Sequence, residues 1–205
     1  MVTHYPIVKT IAGLRVPYAR HPGVRAIKRQ GHFPSIHGTK LWSSGSVLID
    51  YIASTSSVAP TSVIDVGCGW GLAGIWCAKT FGSAVAAVDA DESVMPYLQL
   101  VSELNGVDVT PVVARFEQLE ADLLGATDWL IGADICFWDE LVDPVTAMIT
   151  RAIDSGTKRI MIADPRREPF LHVADTILSE FGGELVEWRV DESRHSGVIL
   201  VIENA

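Results

Sequence analysis

Along most of the chain, short β-branched runs alternate with amphipathic ones, and this alternation sets the expected fold. Val63, Ile64 and Val66 suit a strand buried on both faces, and residues 72–80 follow as an apolar helix stopped by Phe81-Gly82. A small-residue strand at 84–88 runs into Asp89-Ala90-Asp91, where Asp91 is placed to cap a helix over 92–105 whose Val94, Leu98, Val101 and Leu104 share one face. The strand at 107–114 carries Pro111, which suits a sheet edge. A helix at 117–124, a strand at 128–137, a helix at 141–154, a strand at 158–163 and a helix at 170–181 continue the pattern. The last two strands, 184–190 and 198–203, are joined by a short polar loop and predict an antiparallel hairpin at the sheet edge. Upstream, Val47, Leu48, Tyr51 and Ile52 predict a helix from Ser43 or Ser44 to near Ser56. Residues 1–40 hold Pro6, Pro17, Pro22 and Pro34 with Gly13, Gly23, Gly31 and Gly38, which argues against long regular elements there; 7–16 suits either a strand or a short helix. The pattern predicts an α/β fold with a doubly wound, mostly parallel seven-stranded sheet closed by an antiparallel C-terminal hairpin strand.

The run SVIDVGCGWGLAGI, residues 62–75, carries the candidate chemistry. Its glycines let the backbone turn sharply and approach a ligand without Cβ interference, and Asp65 places a carboxylate inside an apolar strand, which is costly unless a ligand or donor pairs with it. Gly69, Gly71 and Gly74 match the dinucleotide spacing G-x-G-x-x-G, and Asp89 falls where a ribose-binding acid would, so a nicotinamide cofactor competes for this run. The register argues against it, because Gly67 and Cys68 intervene between strand and fingerprint while Asp65 lies within the strand. The plainest alternative is a turn that merely joins strand to helix.

The stretch D-V-G-C-G-W-G resembles motif I of the class I, seven-β-strand, S-adenosylmethionine-dependent methyltransferases. The lead-in GTKLWSSGSVLIDYI from Gly38 resembles the segment before motif I in methyltransferase family 16, the protein lysine methyltransferases and their relatives. Asp134-Ile135-Cys136-Phe137 is similar to that family's D-x-x-F motif. Asp164, Pro165 and Arg167 fit a D-P-x-R pattern of its branch resembling the electron-transfer-flavoprotein β-subunit lysine methyltransferases. This resemblance covers residues 38–205. It implies S-adenosylmethionine as cofactor, with Asp65 and the backbone around Gly67, Cys68, Gly69 and Gly71 at its methionine end, and Asp89 and Ala90 at the ribose. Trp42 would lie over the entrance, and Asp134 would stand beside cofactor and acceptor. Where the family often has an acid for adenine, this chain has Ala114, Arg115 and Phe116, which leaves backbone amides and apolar contact to hold the base. On the acceptor side the resemblance implies Asp134, Phe137 and Trp138. The implied activity is N-methylation of a protein lysine; methylation of a small molecule or of a histidine or arginine side chain, and S-adenosylmethionine binding without catalysis, are the alternatives.

At 205 residues, 48% hydrophobic and 20% charged, the chain has the composition of one globular domain. Its apolar runs are too short to span a bilayer, it opens on no signal pattern, and its three cysteines form no C-x-x-C pair, so no membrane, no metal site and a cytoplasmic setting are expected. The net charge of −9 is unevenly spread. Residues 1–49 hold Lys9, Arg15, Arg20, Arg25, Lys28, Arg29 and Lys40 but no Asp or Glu, so all 25 acidic residues come later. We read residues 1–40 as a basic arm or cap on a catalytic domain at 41–205. Sparse aromatic interleaving argues against nucleic acid and favours packing of the arm on its own acidic domain.

Overall fold

The structure is a computed structural model that describes residues 6–34, 43–191 and 195–204. The arm opens with a hairpin, β1 (Val8–Ile11) and β2 (Leu14–Pro17), turned at Ala12 and Gly13, both with positive φ, as tight hairpins require. A helix, α1 (Pro22–Arg29), follows where no regular element was expected from the prolines and glycines. Pro22 stands in its first turn, where a missing N–H is harmless, and His21 caps it by accepting from the Gly23 N–H at 3.1 Å. Leu14, Val16, Val24 and Ile27 are buried.

The chain then winds as α2 (Ser43–Thr55), β3 (Ser62–Val66), α3 (Leu72–Phe81), β4 (Ala84–Asp89), α4 (Met95–Asn105), β5 (Thr110–Val113), α5 (Ala121–Gly125), β6 (Trp129–Ala133), α6 (Val142–Ser155), β7 (Arg159–Asp164), α7 (Glu168–Phe181), β8 (Glu184–Arg189) and β9 (Ser196–Glu203). The large sheet has seven strands in the order β5-β4-β3-β6-β7-β9-β8, parallel from β5 to β7, with β9 antiparallel to both neighbours. Pro111 sits on the outer strand β5, where its missing donor disturbs no ladder. Strand alternation divides the core in two. Val63, Trp129, Ile131, Met161 and Ile199 pack with α2, α3 and α4, while Ile64, Leu130, Ile160, Ile162 and Leu200 pack with α5, α6 and α7. Asp91 caps the turn into α4 as expected, accepting from the Ser93 N–H at 2.9 Å. The expected helix at 117–124 is reduced to a 3-10 turn and the five residues of α5. The strand expected to reach residue 137 ends at Ala133, because Asp134 turns out of the sheet with φ 60°.

The described part of the arm packs on the domain through hydrogen bonds, the Arg15 guanidinium reaching the Leu104 carbonyl at 3.4 Å, with no arm–domain ion pair among the described residues. The Arg15 N–H donates to Asn105 Oδ1 at 2.9 Å, and Asn105 Nδ2 donates back to the Arg15 carbonyl at 2.9 Å. Lys79 reaches the Gly13 carbonyl at 3.1 Å, and the Tyr97 hydroxyl reaches that of His32 at 2.8 Å. Arg25, Lys28 and Arg29 stay exposed. No helix among the described residues is long and apolar enough to cross a membrane.

Candidate active site

β3 sits between β4 and β6, so the connections leaving its two neighbours run in opposite directions and open a crevice beyond the carboxyl ends of these strands. A cleft of about 660 Å³ occupies that place. Asp65, Gly67, Cys68, Gly69, Asp89, Ala90, Arg115, Phe116, Asp134, Phe137 and Trp138 all line it. Trp42 lies outside the described residues. Gly71 is not among the described lining residues: its φ of 77° forms the start of α3, and a Cβ there would come within 2.2 Å of Leu98 Cδ1. Gly71 therefore serves helix packing, while Gly45 on α2 joins the lining unanticipated.

Asp65 points to the α3 side of the sheet, 3% exposed, and its Oδ2 accepts the Gly74 N–H at 2.9 Å. Burial pushes its carboxyl up to about 7; the Gly74 amide opposes that shift and the neighbouring Asp89 charge adds to it. No cation pairs with Asp65 among the described residues. Asp89, at the end of β4, accepts from the Gly69 N–H through Oδ2 and from the Asp91 N–H through Oδ1, each at 2.9 Å. Its pKa is also raised by burial, against these amide donors. Burial, with the charges of Asp65 and Asp89, pushes the Cys68 thiol well above the usual cysteine range. Trp70 stacks on Tyr97 with ring centroids 5.0 Å apart and forms the wall on the arm side. At the β5 end, Arg151 of α6 donates to the Phe116 carbonyl at 2.6 Å and fixes that turn.

The opposite end of the cleft is built from β6 and β7. Asp134 is 8% exposed, and its Oδ1 takes an ion pair from Arg167. Its Oδ2 is buried. Burial raises the pKa of this carboxyl, opposed by hydrogen bonds from Ser44 at the start of α2 and by the Arg167 guanidinium. Phe137 and Trp138 meet edge to face at 4.6 Å, and Trp138 remains 45% exposed at the rim. Arg166 pairs with Glu187 at the surface, whereas Arg167 turns inward to Asp134 and to Asp164, which is 1% exposed. Sequence reading missed Arg167 and Asp164 as part of this cluster. The signal was the matched register of Ala133 with Ala163, which puts two carboxylates at adjacent strand ends and calls for a cation between them.

A family model described as lysine methyltransferase matches residues 26–177. The chain belongs to the lysine methyltransferase family. Among curated proteins, it is 24% identical over 139 residues to the electron transfer flavoprotein beta subunit lysine methyltransferase of Danio rerio, covering 67% of this chain and 53% of that protein. The chain thus spans about half the length of the curated relatives it matches. Among solved structures, the ribosomal protein L11 methylase of Lactobacillus delbrueckii subsp. bulgaricus aligns with a TM-score of 0.60 at 18% identity, covering 81% of each chain. A T. thermophilus 16S rRNA methyltransferase solved with AdoMet and guanosine aligns with a TM-score of 0.62 at 14% identity, over 96% of this chain and 44% of that one. These likenesses establish the fold as that of the S-adenosylmethionine-dependent methyltransferases.

Proposed function

We propose that the chain transfers a methyl group from S-adenosylmethionine to the ε-amine of a protein lysine. The observation that carries this reading is that one cleft holds buried Asp65, with no cation paired to it among the described residues, beside Asp89 at one end and the Arg167-paired carboxylate of Asp134 at the other. The residues fit the cofactor. A carboxylate whose only described donor is a backbone amide suits the methionine ammonium, and Asp89 retains acceptor capacity for ribose hydroxyls beyond its two amide bonds. Ala114, Arg115 and Phe116 would flank the adenine, and Gly67, Cys68, Gly69 and Ala90 would let the backbone approach closely. Bound S-adenosylmethionine would supply a methyl group on a sulfonium, open to in-line displacement by an amine as the S–C bond breaks and S-adenosylhomocysteine leaves.

The protein's part is alignment in a site that excludes water. Phe137 and Trp138 form apolar walls for the acceptor chain, and the Asp134 carboxylate accepts an N–H from the amine and aims its nitrogen. A lysine ammonium, with a reference pKa of ≈ 10.4, has no lone pair. Apolar walls favour loss of that proton while a carboxylate opposes it, so Asp134 serves to orient rather than to set the rate alone. We assign the chemistry to residues 41–205, with 1–40 as a basic arm or cap, and place the protein in the cytoplasm on the strength of its three free cysteines.

The test is incubation with methyl-labelled S-adenosylmethionine and cell lysate, then hydrolysis of the protein fraction. Label recovered as methyl-lysine supports the reading. Label in the small-molecule fraction alone, in another amino acid, or nowhere despite cofactor binding overturns it.

A further inference from the structure

We propose that Arg167 is the positioning residue for the Asp134 carboxylate, pairing with its Oδ1 beside Asp164 and so fixing the orientation in which that carboxylate meets the acceptor amine. This rests on the lysine reading above. β6 and β7 run parallel with Ala133 opposite Ala163, and the Asp134 N–H donates to the Ala163 carbonyl at 2.9 Å, so the two carboxylates leave the sheet side by side. Both are buried, and each charge makes ionisation of the other harder. One arginine answers both: its backbone N–H donates to Asp164 Oδ1 at 2.7 Å, its Nη2 pairs with Asp134 Oδ1, and the same Nη2 lies 3.7 Å from Asp164 Oδ2. The guanidinium also lies over the Phe137 ring at 5.9 Å, linking the clamp to the acceptor wall.

Of the three non-glycine residues with positive φ among those described, two are Asp134 at 60° and Arg166 at 81°, one on each side of the ion pair. The turn at Arg166 sends its own side chain outward to Glu187 and the next one inward. A fork of fixed geometry holds a carboxylate's orientation as a flexible ammonium cannot. The ionisable groups around Asp134 are Arg167 and Asp164 from the β7–α7 turn, and Cys136 and Asp139 on its own segment; α2 presents the uncharged Ser44.

The deciding measurement needs no acceptor: titration of the Asp134 carboxyl by carbon NMR in full-length protein. Arg167→Gln should move that titration upward by a pH unit or more, since a like charge and burial remain without their cation. Arg167→Lys should give a smaller shift. S-adenosylmethionine affinity by calorimetry should stay within about twofold of wild type. With methyl-labelled S-adenosylmethionine and recombinant electron transfer flavoprotein beta subunit, Arg167→Gln should lower kcat at least tenfold and raise the acidic limb of its pH profile. Should Arg167→Gln fail to fold, the Asp164→Asn/Arg167→Gln double variant removes one buried charge and carries the same test. An unmoved Asp134 titration, or loss of cofactor affinity equal to the loss of kcat, would overturn the proposal. Failure of wild type to label any protein lysine would overturn the lysine reading instead, while the titration still reports on the clamp.

Discussion

The amide of Gly74 in α3 donates to Oδ2 of Asp65 in β3 across 2.9 Å, joining the strand's only carboxylate to the first turns of the helix behind it. A Cβ on Gly74 would stand 2.9 Å from that oxygen and 3.0 Å from Val85 Cγ1, closer than real side chains approach. Gly74→Ala should therefore push α3 from the sheet, cost roughly 1–3 kcal/mol of stability as overpacked cores do, and weaken S-adenosylmethionine binding by displacing Asp65. Thermal melts and calorimetry on one sample would show both. A variant as stable and as tight-binding as wild type would contradict the contact.

The same carboxylate makes binding depend on pH. Its folded value of about 7 lies above the ≈ 3.9 of an unfolded Asp. The stability it contributes to the free protein is thus complete below the lower value and lost as pH rises through the higher one. An ammonium seated against Asp65 demands the ionised form, so S-adenosylmethionine binding at pH 6 should release protons. Calorimetry in buffers of different ionisation enthalpy counts them, and Asp65→Asn should abolish the release.

Asp89 holds two backbone amides and, by our reading, the ribose. Asp89→Ala should weaken S-adenosylmethionine binding by roughly ten- to a hundredfold, the scale of one or two hydrogen bonds to a charged group. Unchanged affinity would remove Asp89 from the cofactor site.

For Asp134 the choice of substitution matters. Asn tolerates the left-handed backbone at φ 60° where Ala does not, so Asp134→Asn should melt close to wild type while Asp134→Ala loses about 1 kcal/mol. Both should bind S-adenosylmethionine nearly normally and turn over far more slowly. Equal loss of binding and turnover in Asp134→Asn would place the residue on the cofactor side.

How much of this could be read from the chain depended on the range of the interaction. The strand with Asp65, the loop after it and the acid at Asp89 are local signals, and the closing hairpin followed from two strands with no helix between them. Helix α1 was hidden because Pro22 and Gly23 look like breakers, although proline in a first turn fits a helix well. Gly71 sits in the right motif, yet the contact that demands glycine comes from Leu98, on a helix the motif cannot see. Arg167 was the hardest to place, because its partner lies 33 residues away and the side chain turns inward only through the left-handed backbone of Arg166.

The bond between Gly69 and Asp89 acts before any ligand arrives. Because the carboxylate at the end of β4 already grips the loop leaving β3, the shape of the cleft is set during folding, and the entropy of ordering that loop is spent there. A ligand entering such a preorganised site loses little affinity to loop closure. Its capture should then be governed by encounter and by the displacement of water rather than by a slow rearrangement of the glycine turn.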